Sequence, residues 1–129
     1  GAASKNCLYL FREMFLVTAL QKVRHGADAV DASAVLRMAC RNGAYVCGFD
    51  DCDCLAPGKQ ADLILIDLQQ PNMQPLNNIE KNVVYSGSKQ NVALTMIAGK
   101  ILYERGEFHI GDDPERIYRE ATRIVRSIR

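Results

Sequence analysis

Apolar residues recur at helical spacing along the first stretch of the chain, from Leu8 to Val23. Further apolar positions widen this stripe until little of the helix can face water: Leu10, Met14, Leu16, Val17 and Leu20. A helix that is apolar on nearly every side is normally buried, so this one is expected to have neighbours on more than one side. Ser4 or Asn6 can supply the N-cap oxygen, and Gly26 fits the C-terminal end.

A second helical pattern starts at Asp31 and places Ala34, Val35, Met38 and Ala39 on one face. Asn42-Gly43 predicts a break, followed by a short helical turn over residues 44–47 that Gly48 closes. The pattern therefore predicts two short helices.

The pattern then changes through the polar, turn-rich segment around Asp50–Cys54 and Pro57-Gly58. Residues 61–68, ADLILIDL, have the continuous apolar run of a strand that is covered on both faces. Residues 69–81 hold two prolines and three asparagines and predict a long surface loop, and residues 83–85 predict a short strand.

Residues 91–108 predict a hairpin with strands over residues 92–97 and 100–104, a turn at Ala98-Gly99 and a second turn at Arg105-Gly106. Gly99 and Gly106 are the positions expected to need positive φ. Three or four such strands do not close a barrel, and their open edges would need partners.

The last element is a helix with Asp113 as N-cap and Pro114 in the first position. Its apolar stripe is Ile117, Ala121, Ile124, Val125 and Ile128. Its other face, predicted to be solvated, carries Arg116, Arg119, Arg123 and Arg126.

Composition adds only broad limits to this α+β pattern. The 129 residues are 48% hydrophobic and 24% charged with a formal net charge of +1, so the chain can bury an ordinary core and gives no electrostatic argument for nucleic acid or an anionic membrane. The uncharged apolar run at residues 91–99 is far shorter than a membrane span, and the N-terminus lacks the order of a signal peptide, so a cytoplasmic location is expected. Five cysteines without framework spacing indicate reduced thiols.

Candidate metal chemistry is sparse. A hydrolytic metal site needs several converging His, Asp, Glu or Cys ligands, whereas His25 and His109 each lack a second histidine at ligand spacing. Cys52 and Cys54 lie among aspartates with Cys47 nearby, and could hold a soft metal. The second half of a zinc ribbon is missing, however, so a surface turn is the preferred interpretation.

No Walker loop, dinucleotide glycine fingerprint, GxSxG elbow or Cys/His dyad spacing appears in the sequence. The most suggestive segment is Gly1-Ala2-Ala3-Ser4, because small residues that lead into a helix leave backbone amides able to face a ligand. The residues alone predict no self-contained catalytic apparatus.

The order of several segments resembles a known family: GAASKNCLYLFREMFLVTALQK, VLRMACRNGAYVCGF, LAPGKQADLILIDL, NVVYSG and MIAGKILYERGEF. Together they resemble the C-terminal third of the amidohydrolase superfamily. The most similar branch is that of the adenosine and cytosine deaminases, notably the 5-methylthioadenosine/S-adenosylhomocysteine deaminases, with chlorohydrolases and guanine deaminase as kin.

This resemblance implies the end of a (β/α)8 barrel followed by the C-terminal strands of a small β-sandwich and a terminal helix. It divides the chain into residues 1–49, the last barrel loop and helices; residues 50–108, half of the sandwich; and residues 109–129, the terminal helix. In the family, a metal-binding aspartate precedes a GAASNN loop after the last barrel strand. The resemblance therefore makes Gly1, Ala2, Ala3, Ser4 and Asn6 substrate-proximal, while Lys5 departs from the family loop and the aspartate would immediately precede Gly1.

The function implied by the resemblance is that of a C-terminal fragment of a metal-dependent aminohydrolase. Its intact parent would use zinc or another divalent metal to deaminate a purine nucleoside-like or related amino-heterocycle substrate. No catalytic residue or metal ligand is expected in this chain, so the chain alone should be inactive and bind no metal. Its expected partners are the missing N-terminal part of the enzyme or further copies that cover the open sheet edges. The alternative is a self-standing, non-enzymatic oligomeric binding or assembly module derived from such a tail.

Overall fold

The structure is a computed structural model that describes residues 8–128. It begins with helix α1, Leu10–His25, which ends at Gly26 with φ of 98°, as the sequence predicts. The N-cap position belongs to Tyr9, so the predicted caps Ser4 and Asn6, which lie outside the described residues, do not hold it.

The next helical region is continuous where two separate helices are predicted. Helix α2, Ala32–Arg37, passes through a π-helical stretch, Met38–Asn42, into helix α3, Gly43–Cys47. Gly43 keeps right-handed helical angles, so the break predicted at Asn42-Gly43 is replaced by a local widening of the helix. Gly48 ends α3 in the left-handed conformation, as predicted.

The region between the strands departs most from the prediction. Residues 83–85 belong to a helix, α4, Ile79–Ser86, and the loop predicted over residues 69–81 contains a 3₁₀ turn, Pro71–Met73, and the start of α4. Asn78 caps α4 by accepting a hydrogen bond from the Lys81 N–H at 2.9 Å. The β-branched residues of α4 pack against α1 and α2, and this packing outweighs their strand propensity.

Four antiparallel strands form one sheet in the order β1-β2-β3-β4: Leu63–Ile66, Val92–Ile97, Lys100–Glu104 and Glu107–Phe108. The predicted hairpin is confirmed, and Gly99 and Gly106 have φ of 75° and 101°. The prediction that β1 is covered on both faces fails within the described residues, because Ile64 and Leu65 are both exposed and β1 lies at a sheet edge.

The core joins the N-terminal helices to the segment before β2. Its buried side chains are Phe11, Met14, Ala32, Val35, Met73, Val83 and Val84, and Ile66, Leu68 and Val92 pack against them. Helix α4 is central to this arrangement, since Lys22 of α1 donates a hydrogen bond to the Tyr85 hydroxyl at 2.7 Å and Ser33 of α2 bonds Glu80.

The chain ends in helix α5, Pro114–Ile128. Asp113 caps it by accepting a hydrogen bond from the Glu115 N–H at 3.1 Å, as predicted. Every residue from Glu115 to Ile128 is exposed, so the solvated arginine face is confirmed, but the apolar stripe is uncovered as well.

Candidate functional site

The segment expected to lie beside the substrate, Gly1, Ala2, Ala3, Ser4 and Asn6, falls outside the described residues. The structure does show where the chain goes directly after it. Tyr9 precedes α1 in extended geometry without a side-chain capping bond, and its hydroxyl accepts a hydrogen bond from the Lys89 N–H at 3.1 Å. This contact fixes the entrance of α1 next to the 3₁₀ turn Lys89–Asn91 that leads into β2.

A buried carboxylate of the DDCDC segment, residues 50–54, forms ion pairs with cations outside that segment. The Asp53 side chain is only 5% exposed, and its Oδ1 atom lies 2.8 Å from Lys59 Nζ. Its Oδ2 atom lies 3.5 Å from Arg41 Nε and accepts a hydrogen bond from the Tyr45 hydroxyl at 3.4 Å. The Lys59 ammonium beside it holds the pKa of the Asp53 carboxyl below its usual range, although burial opposes this shift.

The predicted surface turn is present, and this ion pair anchors it. Lys59 also donates to the Asp50 carbonyl oxygen at 2.5 Å, so one ammonium group fixes both ends of the turn. Asp53 has its oxygens directed at cations and a hydroxyl of its own chain. The arrangement therefore attaches residues 50–59 to α3 and commits the Asp53 carboxylate to structural contacts.

The thiols nearby do not assemble into a metal centre in the described part of the chain. Cys47 and Cys54 are exposed, and burial raises the pKa of the partly buried Cys52 thiol, which disfavours the thiolate that binds metals. Over residues 8–128, no group of three or more His, Cys, Asp or Glu side chains is placed to hold a metal ion. The proposed soft-metal site at Cys47, Cys52 and Cys54 is therefore not supported.

Both histidines occupy structural positions. His25 is the last residue of α1, and the His109 backbone N–H donates to the Leu102 carbonyl oxygen at 2.8 Å, which extends the pairing beyond β4. Neither belongs to a ligand cluster among the residues that the structure describes.

A buried asparagine network is the feature that sequence reasoning missed. Asn91 is fully buried and donates to the Asp67 carbonyl oxygen and the Asn72 side chain, both at 3.2 Å. Its Oδ1 accepts hydrogen bonds from the Ser88 N–H at 2.9 Å and from Asn72 Nδ2 at 2.8 Å. The sequence gives little sign of this network: the three asparagines within residues 69–81 predict a surface loop, and no pattern marks Asn91.

This network positions backbone and carries no reactive group. It holds the end of β1, the 3₁₀ turn Pro71–Met73 and the start of β2 together, with each buried amide group paired. The described residues thus form a supporting framework in which no group of three or more metal-binding side chains comes together.

Comparison with known proteins assigns this framework to a family. The model of the amidohydrolase family matches residues 1–102. A 5-methylthioadenosine/S-adenosylhomocysteine deaminase from Thermotoga maritima is 39% identical over 128 residues, which is 99% of this chain and 30% of that protein. The protein of the same name from Nitratidesulfovibrio vulgaris, strain Miyazaki F, is 41% identical over 88% of this chain and 26% of its own length.

Solved structures agree with the sequence relatives. An adenosine deaminase from Xanthomonas campestris with bound zinc matches 95% of this chain and 28% of that chain, with a TM-score of 0.88 and 34% identity. The atrazine chlorohydrolase TrzN from Arthrobacter aurescens, complexed with zinc, shares the fold with a TM-score of 0.78 at 24% identity.

The chain spans between 25% and 30% of the length of these relatives. Its helices and small antiparallel sheet are thus part of the amidohydrolase fold. A family model that matches most of the chain, and relatives with about 40% identity, lead to one conclusion. The chain belongs to the amidohydrolase family.

Proposed function

We propose that this chain is the C-terminal part of a metal-dependent aminohydrolase that deaminates a purine nucleoside-like or related amino-heterocycle substrate. The relatives named above as deaminases support the reaction class. Neighbours with bound zinc support zinc or another divalent metal in the parent enzyme. Over residues 8–128, no group of three or more His, Cys, Asp or Glu side chains is placed to hold a metal ion. We expect this chain to contribute no metal ligand to the parent enzyme and to be inactive alone.

The observation that carries the proposal is the outer face of α1. Phe11, Met14 and Thr18 face the core, while the opposite side exposes a second apolar surface. We call this surface the outer face of α1: its exposed members Val17, Leu20 and Val23 lie opposite the core, and the exposed Leu10 and Phe15 lie at its flanks. Because exposed apolar area of this extent is costly in water, the face is best explained as a contact with the larger part of the parent protein.

The remaining features are assigned by the same reasoning. Residues 1–49 supply the end of a (β/α)8 barrel, residues 50–108 supply half of a small β-sandwich, and residues 109–129 form the terminal helix. Gly1, Ala2, Ala3, Ser4 and Asn6 lie beside the substrate, after an aspartate ligand of the parent. The unpaired edge of β1, with Ile64 and Leu65 exposed, receives a strand from the upstream part.

The partners follow from these contacts. The principal partner is the upstream part of the same enzyme, with further copies as a second possibility, and neither nucleic acid nor a membrane is required. Over residues 8–128, no helix is long and apolar enough to cross a bilayer. We place the parent enzyme in the cytoplasm.

A chimera tests the function. The C-terminal 30% of the Thermotoga maritima relative is replaced by this chain, and ammonia release from 5-methylthioadenosine, S-adenosylhomocysteine and adenosine is measured with zinc present. The controls are that relative truncated at the same junction and the 129-residue chain alone. We expect activity only in the chimera. A zinc-loaded, monodisperse chimera without activity on any of these substrates would contradict the function, and activity of the chain alone would contradict its inactivity.

The second candidate, a non-enzymatic oligomeric module, is favoured by the open edge of β1. A monodisperse oligomer of the 129-residue chain that melts cooperatively, together with an inactive chimera, would support it. An aggregating or molten chain would argue for a part of an enzyme.

A further inference from the structure

The entrance of α1 contacts the segment that joins α4 to β2 at two points. The Tyr9 hydroxyl accepts a hydrogen bond from the Lys89 N–H at 3.1 Å, across 80 positions of the sequence. Two residues further on, the Phe11 ring lies so close to Gly87 that a Cβ atom on that glycine would be 2.8 Å from Phe11 Cδ1. The Tyr9 and Phe11 rings also contact each other, with centroids 6.1 Å apart. The start of α1 is therefore attached to residues 87–89 by a hydroxyl and by a ring.

The segment that holds Tyr9 is itself fixed from the core. Asn91 is fully buried, and its Oδ1 accepts hydrogen bonds from the N–H and the hydroxyl of Ser88 at 2.9 and 3.1 Å. The Asn91 amide nitrogen donates to the Asp67 carbonyl oxygen, just after β1, at 3.2 Å. Because Ser88 and Asn91 flank the Lys89 N–H, the position of this donor is set by buried contacts.

The Tyr9 hydroxyl does not cap the helix that it precedes. Tyr9 occupies the N-cap position with φ of −139° and ψ of 90°, and its side chain makes no capping hydrogen bond. Small polar residues are preferred at this position, because their oxygens reach the free amides of the first turn. The bond to Lys89 therefore orients the chain that leads into α1.

Tyr9 lies close in sequence to the loop that the proposed function assigns to the substrate. The residues of that loop are Gly1, Ala2, Ala3, Ser4 and Asn6. Tyr9 follows Asn6 by three positions, which span at most about 11 Å of extended chain, so a shift at Tyr9 is passed on to the loop. A displacement of about 1 Å at a reacting centre can cost about 100-fold in rate.

We propose that Tyr9 is a positioning residue: its hydroxyl, held by the Lys89 N–H, sets the position of the loop over residues 1–6 against the substrate. This role rests on the proposed function, and it belongs to a residue outside the substrate loop that acts through the backbone.

The test uses the chimera with the Thermotoga maritima relative and compares two tyrosines. Tyr9→Phe removes only the hydroxyl that the Lys89 N–H holds. Tyr85→Phe is the matched control, because it removes a hydroxyl that also joins α1 to the α4 region, by a hydrogen bond from Lys22 Nζ at 2.7 Å, but at the other end of α1. The substrate is whichever of 5-methylthioadenosine, S-adenosylhomocysteine and adenosine the parent chimera deaminates fastest.

The two tyrosine variants should differ in their kinetics. We expect Tyr9→Phe to lower kcat/KM about tenfold, mainly through kcat, because the loss of one hydrogen bond misplaces the loop in the transition state. Tyr85→Phe should leave kcat/KM within about twofold. Melting temperature and zinc content of each chimera check that the variants are folded and loaded equally.

A second pair of variants removes the donor instead of the acceptor. Lys89→Pro deletes the N–H, and proline suits this position because Lys89 is the first residue of a 3₁₀ turn and the preceding Ser88 is extended. It should lower kcat as much as Tyr9→Phe does. The double variant should be no slower than either single variant, since all three lack the same hydrogen bond. Lys89→Ala keeps the N–H and should leave kcat within about twofold.

The outcomes separate this role from the function on which it rests. An active chimera in which Tyr9→Phe changes kcat/KM less than about twofold, or in which both tyrosine variants lose activity equally, would overturn the positioning role alone. Additive losses in Tyr9→Phe and Lys89→Pro would overturn it as well, because the two residues would then act separately. A folded, zinc-loaded parent chimera without activity would contradict the proposed function, and this role with it.

Discussion

At the scale of single residues, Met73 is the clearest anchor of the fold. It is fully buried although it lies in a 3₁₀ turn within a stretch whose composition predicts a surface loop. Unbranched methionine can fill an irregular gap, and here it belongs to the buried core cluster, with its 3₁₀ turn packed against α4.

Replacing Met73 by alanine should therefore leave a cavity under α4. We expect Met73→Ala to lower the free energy of unfolding by about 2–5 kcal/mol, the usual range for deleting a buried large apolar side chain. Met73→Leu, which nearly conserves volume, should cost less than about 1.5 kcal/mol. Urea unfolding followed by circular dichroism measures both, and equal effects of the two substitutions would show that the site is not tightly packed.

Two glycines form a matched pair for a second prediction. A Cβ atom on Gly87 would lie 2.3 Å from the Val83 carbonyl oxygen and 2.8 Å from Phe11 Cδ1, whereas one on Gly43 would meet only the Met38 carbonyl oxygen at 3.7 Å. Gly87→Ala should therefore destabilise by about 1–3 kcal/mol through overpacking.

Gly43→Ala should stabilise the chain by up to about 1 kcal/mol, since Gly43 has helical angles and alanine loses less backbone freedom there. Thermal melts of both variants and of the parent chain provide the measurement: we expect the melting temperature to fall for Gly87→Ala and to rise for Gly43→Ala. A stabilising Gly87→Ala would mean that Phe11 and Val83 can move apart at no cost.

The ion pair of Asp53 gives a prediction about pH. A carboxyl whose pKa is lower in the folded chain stabilises the fold above the unfolded-state pKa of about 3.9, and this stabilisation is lost as the pH falls from there through the lowered folded pKa. Asp53→Asn should thus be less stable than the parent chain at neutral pH, and the difference should shrink below about pH 4.

The control is Asp28→Asn, at an exposed aspartate remote from this cluster, which should leave the pH profile unchanged. Urea midpoints from pH 7 to pH 2.5 provide the measurement. Parallel profiles for Asp53→Asn and the parent chain would show that the pair contributes nothing that depends on protonation.

At the scale of elements, local sequence signals predict some helices and strands, whereas others form only because of tertiary packing. Helix α5 was predictable because Asp113 and Pro114 mark its start and the stripe repeats without interruption. The hairpin β2-β3 was predictable because Ala98-Gly99 and Arg105-Gly106 separate alternating strands, and all four turn residues have positive φ.

Helix α4 was not predictable in this way. Val83 and Val84 are β-branched, and the preceding asparagines and prolines resemble a loop, so the local pattern favours a short strand. The helix forms because both valines are buried against α1 and α2, which lie far away in the sequence. The ion pair of Asp53 was not predictable either, because no sequence motif links Asp53 to its partners Lys59 and Arg41. The loop nearest the expected substrate, by contrast, was assigned by resemblance alone.

At the scale of the whole molecule, the chain has one closed core and several open surfaces. The core unites residues on both sides of the turn at residues 50–59, while the outer face of α1, the edge of β1 and the stripe of α5 remain exposed. Exposed apolar surface of this kind should make the isolated chain bind hydrophobic dyes and associate non-specifically.

Val23, which is 88% exposed on the outer face of α1, provides the test. Val23→Lys should lower the fluorescence of bound anilinonaphthalene sulfonate and reduce light scattering of the isolated chain, with a change in unfolding free energy within about 0.5 kcal/mol. Gln21→Lys adds the same charge to a polar exposed position of α1 and is the matched control. If both substitutions reduce dye binding equally, added charge rather than the outer face of α1 governs the effect.

The core that joins α1 and α2 to α4 also has a consequence for synthesis on the ribosome. Phe11, Met14 and Val35 leave the ribosome well before the residues that cover them, Met73, Val83 and Val84. Contacts so distant in sequence form slowly, because a long loop must close before any of them is gained. During elongation α1 thus emerges with its inner apolar face bare until α4 has been made, and this face is one that chaperones have reason to bind.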